Sequence, residues 1–247
     1  MSKLYKSFIW FLLSVACIGL PFSFLAFGSD LSTRQSNLYP YKSSIFLQDD
    51  FVTGIGGSGT IGELGWNLSS GTAANQASET GGRIGIIRRD TTAVINTYAS
   101  ITLFNSSNAI DTALPHIITW AVRLNTNDAN TTLRIGSTNS AFAAPANGVY
   151  FEKLDADTNW FCVTRAGGVQ TRTDSTIATN TSFNTFVYSR QSSGVTFSIN
   201  GTSVCGTHTT NIPANFYVPS VAITNSAAAA KTVDLDYFEG VLTGLTR

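Results

Sequence analysis

Short apolar runs that alternate residue by residue, with turn-forming residues between them, constrain this chain more than any other feature. In the run "HIITWAVRL" at 116–124 the large apolar side chains fall on every second residue and so share one face of a strand: Ile118, Trp120, Val122 and Leu124. The turn-rich segment "NTNDAN" follows, and "TTLRIG" returns with Leu133 and Ile135 on its inward face. These two runs predict an antiparallel hairpin.

The same pattern continues along the rest of the chain. "GVYFEKL" and "WFCVTRA" form a second pair of runs, "GVTFSIN" and "GTSVCG" a third, and "YVPSVAIT" and "TVDLDYFEG" complete the series. No amphipathic helical stretch of useful length follows residue 44. Many short strands over about 200 residues, without intervening helices, predict an all-β fold. We expect an antiparallel two-sheet jelly-roll sandwich over residues 45–247.

The beginning of the chain has a different character. Lys3 and Lys6 precede the apolar run "FIWFLLSVACIGLPFSFLAF", and "AFG" at 26–28 then offers the small residues of a signal-peptidase site. This order predicts a secretory signal over residues 1–28. An uncleaved membrane anchor is the alternative, because about 20 apolar residues can span a bilayer. The polar, proline-containing segment 29–44 is typical of a linker or an extended arm.

The charge balance limits the class of partner. Without residues 1–28, which hold two Lys and no acidic residue, 13 basic residues face 15 acidic ones, a formal charge of −2. Nucleic-acid binding requires a basic face, so we expect no nucleic-acid partner. We expect an exported protein, extracellular or in the cell envelope, that meets a membrane only through its N-terminal segment if that segment stays uncleaved.

Cys162 and Cys205 are the two cysteines outside the N-terminal apolar run. An even pair in an exported chain is a candidate disulfide. Two separately buried thiols are the alternative. We favour the thiols slightly, because no small cysteine framework is visible in the sequence.

Metal and cofactor sites have little support in the sequence. The cysteines and the two histidines are not at the spacing of transition-metal ligands. Asp49 and Asp50 in the first run could approach Asp234 or Asp236 in the last one, since the terminal strands of sandwiches often pair, and calcium binds such oxygen clusters. We expect no cofactor, and calcium at Asp50 and Asp236 is the alternative.

Several stretches carry a resemblance to known proteins, namely "FLQDDF", "GELGWNL", "RLNTNDANTTLRIG", "GVYFEKLDADTNWFCVTRAGGVQTRTD" and "VDLDYFEGVLTGLTR". They resemble stretches of jelly-roll proteins from tailed-phage particles and of related bacterial proteins, whose fold is similar to the concanavalin/laminin G-like sandwich. The resemblance covers roughly residues 45–247 and is most specific around 148–174. It implies the fold and an attachment to a surface or particle, and it implies no catalytic residue. The N-terminal apolar run departs from the phage pattern and favours an exported relative.

The segment "DLDYFE" provides the enzymatic alternative. Retaining β-glucanases on this sandwich carry a strand motif of the type E-x-D-x-(x)-E and need two carboxylates about 5–5.5 Å apart. Strict alternation places Asp234 and Asp236 on one face of a strand and Tyr237 and Glu239 on the other, unless a bulge changes the alternation. The first position is also Asp rather than Glu. We therefore expect solvated acids on a strand, and a secreted β-glucanase using Asp234, Asp236 and Glu239 is the alternative.

The segment 148–165 has the densest mixture of aromatic and charged residues in the chain. One alternating set in this segment is purely apolar, and we expect it to face the core: Val149, Phe151, Phe161 and Val163. Tyr150, Glu152 and Trp160 should then face outward, where sugar rings can stack on an exposed aromatic side chain. If the protein binds a glycan, we predict that this segment forms the site, with Trp160 as the stacking platform and with Tyr150, Glu152 or Arg165 orienting the sugar. Packing of Trp160 at the edge of the sandwich is the alternative.

These observations favour a non-catalytic, exported module that binds a glycan or a cell or particle surface. A structural role in an extracellular or phage-derived assembly fits the same observations. The sequence does not indicate an oligomeric state or a particular ligand.

Overall fold

The computed structural model describes residues 44–52, 60–71, 75–76, 85–103, 110–111, 113–139, 144–214 and 216–244. These residues belong to one compact unit that spans 42–247. Throughout the described ranges every regular element is a strand, which confirms the predicted all-β class. Over the same ranges, no helix is long and apolar enough to cross a membrane.

In chain order the strands are β1 (Ile45–Asp49), β2 (Thr60–Ile61), β3 (Trp66–Ser69), β4 (Asn75–Gln76), β5 (Ile87–Asp90), β6 (Tyr98–Leu103), β7 (Ile110–Asp111), β8 (His116–Leu124), β9 (Thr131–Thr138), β10 (Gly148–Lys153), β11 (Asn159–Ala166), β12 (Val169–Ala178), β13 (Phe183–Gln191), β14 (Gly194–Ile199), β15 (Thr202–His208), β16 (Phe216–Asn225) and β17 (Thr232–Leu242).

The strands form two antiparallel sheets. Sheet A has the order β15-β14-β13-β8-β17-β5-β4, and β1 pairs with β17 beyond the end of β5. Sheet B has the order β12-β11-β10-β9-β16-β6-β3-β2, and β7 pairs with β16. One hydrophobic cluster joins the inner faces of both sheets. This is the jelly-roll sandwich that the sequence predicts.

Alternation along the strands assigns the core correctly in several places. Ile118, Trp120, Val122 and Leu124 of β8 are all buried, as are Leu133 and Ile135 of β9. Because side chains alternate between the faces of a strand, the intervening residues of β8 lie on the outer face of sheet A.

An aromatic cluster fixes the centre of the sandwich. The Trp66 ring centroid lies 5.2 Å from that of Trp120 and 4.8 Å from that of Phe238. The indole nitrogen of Trp66 donates a 2.9 Å hydrogen bond to the buried carboxylate of Asp49. Aromatic pairs of this kind contribute about 0.5–1.5 kcal/mol each beyond their area burial, so the cluster holds β1, β3, β8 and β17 firmly together.

A disulfide joins the two sheets near one side of the sandwich. Cys162 on β11 is bonded to Cys205 on β15, with their Cα atoms 6.2 Å apart. A register shift in β15, where Cys205 takes a φ of 63°, interrupts the alternation after Val204, and Cys205 packs against the core. The alternative of two separate thiols, which the sequence favoured slightly, is therefore wrong. A spacing of residues cannot reveal a bulge that turns a cysteine inward.

Candidate functional site

The hairpin predicted to bind a sugar has a different register from the one that alternation suggested. Tyr150 on β10 lies opposite Val163 on β11, and Phe151 lies opposite Cys162. Because strands have a side-chain period of two, a one-residue change in register moves every partner to the other face. Tyr150 and Trp160 therefore lie on opposite faces of sheet B.

Trp160 points into the core and is only 1% exposed. Its ring packs edge-on against Phe186 of sheet A, with 4.8 Å between the ring centroids. The expectation that Trp160 is an exposed stacking platform is wrong. The true inner set of the hairpin is Val149, Phe151, Trp160 and Cys162, and Phe161 and Val163 instead lie on the outer face beside Glu152 and Tyr150.

The other three predicted ligand residues lie on the outer face of sheet B, and two of them are buried there. Tyr150 is fully buried, and burial, together with the charge of Glu152, raises its pKa. The carboxylate of Glu152 accepts 2.9 Å hydrogen bonds from Arg134 and from Arg172. Arg165 donates to the carbonyl oxygen of Gly168 in its own turn. The structure uses these groups for packing and ion pairing, not for an open aromatic surface.

The acidic segment of β17 contains a bulge. Leu235 lies opposite Val122 and Tyr237 lies opposite Ala121, so that Asp236 is the extra residue. The bulge reverses the alternation after Leu235: Phe238 enters the core, while Tyr237 and Glu239 join Asp234 on the outer face. The expectation that Tyr237 and Glu239 lie on the opposite face from Asp234 is wrong for this reason.

Asp234 is tightly bound within the sheet. It is fully buried, and its carboxylate accepts hydrogen bonds of 2.8 Å from Arg88 Nε and 2.6 Å from Arg123 Nη2. Burial opposes its ionisation, but hydrogen bonds led by the one from Arg88 outweigh burial and lower the pKa of Asp234. Arg123 also lies over the ring of Phe183, 4.6 Å from its centroid. A carboxylate neutralised by two guanidinium groups is poorly suited to attack a sugar carbon.

Glu239 has a different environment. It is half-buried, and it accepts a hydrogen bond from the Tyr237 hydroxyl. Burial and the neighbouring Glu239 carboxylate raise the pKa of Tyr237, so the phenol stays protonated and acts as a donor. The pair presents carboxylate oxygens at the surface of sheet A, where a ligand hydroxyl can donate to them.

Cross-strand register aligns two rows of side chains on this outer face. The first row is Phe46, Val241, Ile117 and Ser189, and the second is Gln48, Glu239, Thr119 and Val187. Phe46 is 55% exposed and Ile117 is 38% exposed, so the first row presents apolar surface to solvent. We call six of these residues the sheet A platform: Phe46, Gln48, Ile117, Thr119, Glu239 and Val241.

The sequence contained a usable signal for the platform. Placing Ile118 and Trp120 in the core puts Ile117 and Thr119 outside, and "IFLQD" at 45–49 alternates in the same way. What the sequence lacked was the pairing of β1 with β17, which brings Phe46 beside Val241. Such pairing between residues almost 200 positions apart depends on the whole fold.

The predicted calcium position can be described in part. The Asp49 carboxylate accepts hydrogen bonds from the amides of Phe51 and Leu64 and from the Trp66 indole. Across the residues that the structure describes, no group of three His, Cys, Asp or Glu side chains is placed to hold a metal ion. Calcium at Asp50 and Asp236 stays a prediction.

A polar pocket of about 280 Å³ lies away from the platform, among the loops that follow β8, β10 and β12. Its charged groups are engaged within the protein. The ammonium of Lys153 donates to the carbonyl oxygens of Asp128, Thr131, Leu154 and Asp155, and Asp128 is paired with Lys231. The pocket is therefore a junction of loops that are connected by the hydrogen bonds of Lys153.

Solved structures with a similar fold include a glucanase and a carbohydrate recognition domain. An endo-1,3-beta-glucanase from Streptomyces sioyaensis aligns with a TM-score of 0.54 at 10% identity, over 83% of this chain and 98% of that one. The carbohydrate recognition domain of Emp47p aligns with a TM-score of 0.54 at 11% identity, over 81% and 95% of the two chains. At these identities the likeness concerns the fold alone, and no curated protein matches the sequence.

The protein of unknown function SO2946 from Shewanella oneidensis MR-1 aligns with a TM-score of 0.62 at 15% identity, over 84% of this chain and 90% of that one. The sequence agrees with this likeness. A family model described as the SO2946-like, C-terminal domain matches residues 82–236, which is more than half of the chain. The chain therefore belongs to the SO2946-like family.

Proposed function

We propose that this protein is an exported, non-catalytic module that binds a glycan on the sheet A platform. The observation that carries the proposal is the pairing of an apolar row with a polar one. Phe46, Val241 and Ile117 lie side by side on three adjacent strands, and the next outward residues are Gln48, Glu239 and Thr119. Sugars have apolar ring faces and polar edges, so the two rows complement both.

The size of the platform favours an extended ligand. Both rows reach β13, where Ser189 ends the apolar row and Val187 ends the polar row, so the polar and apolar order is reversed on that strand. Four adjacent strands with a spacing of about 4.8 Å make each row about 14 Å long. A linear glycan running across the strands can use that length, whereas a small compact ligand cannot.

Two further facts support the proposal. The fold is shared with a carbohydrate recognition domain and with a β-1,3-glucanase, so a jelly roll of this kind is able to present sugar sites. The basic start and apolar run of residues 1–28 favour export, which would bring the platform to sugars outside the cell. The resemblance of the sequence to phage-particle jelly rolls stays a prediction, and attachment to a sugar-coated surface would fit it.

A retaining glycosidase is the competing function. The bulge at Asp236 favours it, because Asp234 and Glu239 then face the same side of β17. The two arginines on Asp234 oppose it, since they occupy the carboxylate that would act as nucleophile. The test measures the release of reducing ends from β-1,3- and β-1,4-glucans. If the protein releases them, and if Glu239→Gln abolishes the release while the protein stays folded, the function is hydrolysis and not binding.

The direct test is a glycan array on the secreted protein, followed by titration of the best neutral glycan. Truncating an aromatic hot spot typically costs about 2 kcal/mol of binding or more, so Phe46→Ala should weaken binding at least about tenfold. Val169→Ala is the matched control, because Val169 is 63% exposed but lies on β12 of sheet B. Absence of any bound glycan, or equal binding by Phe46→Ala and the parent, would refute the proposal.

A further inference from the structure

Two crossover loops of the sandwich present apolar side chains to solvent. Residues 91–97 connect β5 to β6, and residues 226–231 connect β16 to β17. Val94 is 61% exposed and Ile95 is 54% exposed, while the alanines at 228–230 are exposed beside them in the second loop. Neither 91–97 nor 226–230 contains a charged residue. We call Val94, Ile95 and residues 228–230 the apolar tip.

One buried amide fixes both loops. Asn225 is fully buried, and its side-chain nitrogen donates to the carbonyl oxygens of Thr92 at 2.9 Å and of Ala229 at 3.1 Å. Its side-chain oxygen accepts from the amide of Thr97 at 2.9 Å. The amide of Asn96 also donates to the backbone oxygen of Asn225 at 3.0 Å. The loops are thereby tied to each other and to the end of β16.

This clamp has a consequence for the exposed side chains. A loop without a role can turn its aliphatic residues toward the body of the protein and gain the free energy of burial. Here the amide of Thr97 donates to the oxygen of Val94 and closes a turn, and both Val94 and Ile95 stay more than half exposed. The hydrogen bonds of Asn225 therefore hold two consecutive aliphatic side chains in an exposed position.

The chemistry of the tip favours a lipid surface. A specific protein interface buries about 800 Å² on each partner, far more than two aliphatic side chains and three alanines supply. A bilayer interface needs no complementary shape, and aliphatic side chains enter it readily. Next to the tip, Lys231 is buried and paired with Asp128, so no exposed basic cluster is present in these loops to select anionic headgroups.

We propose that the apolar tip inserts into the interfacial region of a zwitterionic lipid bilayer. The tip shares no residue with the sheet A platform, and insertion does not depend on sugar binding. It is also distinct from anchoring through residues 1–28, because it uses loops of the folded sandwich.

The test places an environment-sensitive fluorophore on the tip of the full chain. Ile95→Cys is labelled on a Cys17→Ser background, where Cys162 and Cys205 are protected by their disulfide. The same label at Val169→Cys is the matched control, because Val169 is 63% exposed, against 54% for Ile95, and lies on another element. With phosphatidylcholine vesicles, the emission of the label at 95 should shift to the blue and be quenched by spin-labelled lipid, whereas the label at 169 should not respond.

Each fluorophore reports only its own surroundings. The comparison therefore distinguishes insertion of the tip from tethering by an N-terminal anchor, which would affect both labelled proteins equally. An unchanged spectrum at 95, or the same change at 95 and 169, would overturn the proposal. A blue shift at 95 that needs no lipid and grows with protein concentration would assign the tip to self-association instead. As a second variant, Val94→Asp/Ile95→Asp should lower vesicle partitioning of a chain lacking any N-terminal anchor by about tenfold or more, since burying a carboxylate opposes insertion.

Discussion

The β10–β11 hairpin and the sheet A platform contain similar kinds of residues and use them in opposite ways. In the hairpin, Trp160 and Tyr150 are buried and Glu152 is held by two arginines. In the platform, Phe46 is more than half exposed, and Glu239 touches solvent beside Tyr237. Aromatic and acidic residues in one stretch of sequence therefore indicate a binding surface only when the strand register turns them outward together.

The difference arises from the register of the strands and from their positions within the sheets. The hairpin lies inside sheet B, with β9 on one side and β12 on the other, and every residue of β10 is buried. The platform is assembled from β1, β17 and β8, and its outward side chains Phe46, Gln48 and Ile117 stay exposed. Four predictions test this contrast, from the largest expected effect to the smallest.

The largest effect should come from Trp160→Ala. The side chain is 1% exposed and packs on Phe186 across the sandwich, and removing a buried Trp costs about 3–5 kcal/mol. Urea unfolding of Trp160→Ala and of Phe46→Ala measures the contrast directly, because the exposed Phe46 should change stability by only about 0.5 kcal/mol or less. Equal losses for the two variants would contradict the assignment of core and platform.

Loss of the disulfide should come next. The bridge closes a sequence separation of 43 residues, which corresponds to about 3–4 kcal/mol on the chain-entropy model. Thermal melts with and without reductant measure the effect, and the variant Cys162→Ala/Cys205→Ala should be insensitive to reductant. Glycan affinity of the platform should be unchanged at temperatures where the reduced protein stays folded. A platform that loses affinity on reduction would show that it depends on the hairpin.

Asp234→Asn should have a somewhat smaller effect. Removing one partner of a buried ion pair costs about 3–5 kcal/mol, and the lower end applies because Arg88 is 38% exposed and can be rehydrated. The pKa of Asp234 is lowered in the folded state, so its contribution is present above the ordinary value of 3.8. It is lost as pH falls below that value through the folded pKa. Acid unfolding of Asp234→Asn should lack this part of the pH dependence, and an unchanged acid profile would contradict the ion-pair assignment.

The smallest effect concerns His208 on β15, which hydrogen-bonds Thr164 of the hairpin at 3.1 Å and Thr173 at 3.0 Å. Burial lowers the pKa of His208 below its ordinary value of 6.5. The unfolded chain therefore takes up the proton first, and stability present above pH 6.5 falls as the pH drops through the folded pKa. Melting temperatures between neutral and mildly acidic pH should show the decline in the parent, and His208→Gln should flatten it.

The sequence predicted some parts of this structure and not others for physical reasons. Alternation located the core residues Ile118 and Trp120 and the class of fold, because a half-buried strand imposes its period locally. The prediction for the hairpin was wrong because the register of β10 and β11 depends on the turn between Lys153 and Asn159. A shift of one residue in that turn exchanges the side chains of the inner and outer faces. The bulge at Asp236 and the pairing of β1 with β17 are set by the whole sheet. Local patterns could therefore place Ile117 and Thr119 outside the core, but they could not bring β1 and β17 beside them.

We propose that the outer face of sheet A, and not the β10–β11 hairpin, contacts the glycan. Backbone amide shifts followed by NMR during titration with the best array glycan test this most directly, because both regions are read in one experiment. Shifts should concentrate in β1, at 117–119 of β8 and at 237–241 of β17, with residues 148–165 nearly unmoved. Shifts concentrated in 148–165, with β1 and β17 silent, would contradict the account.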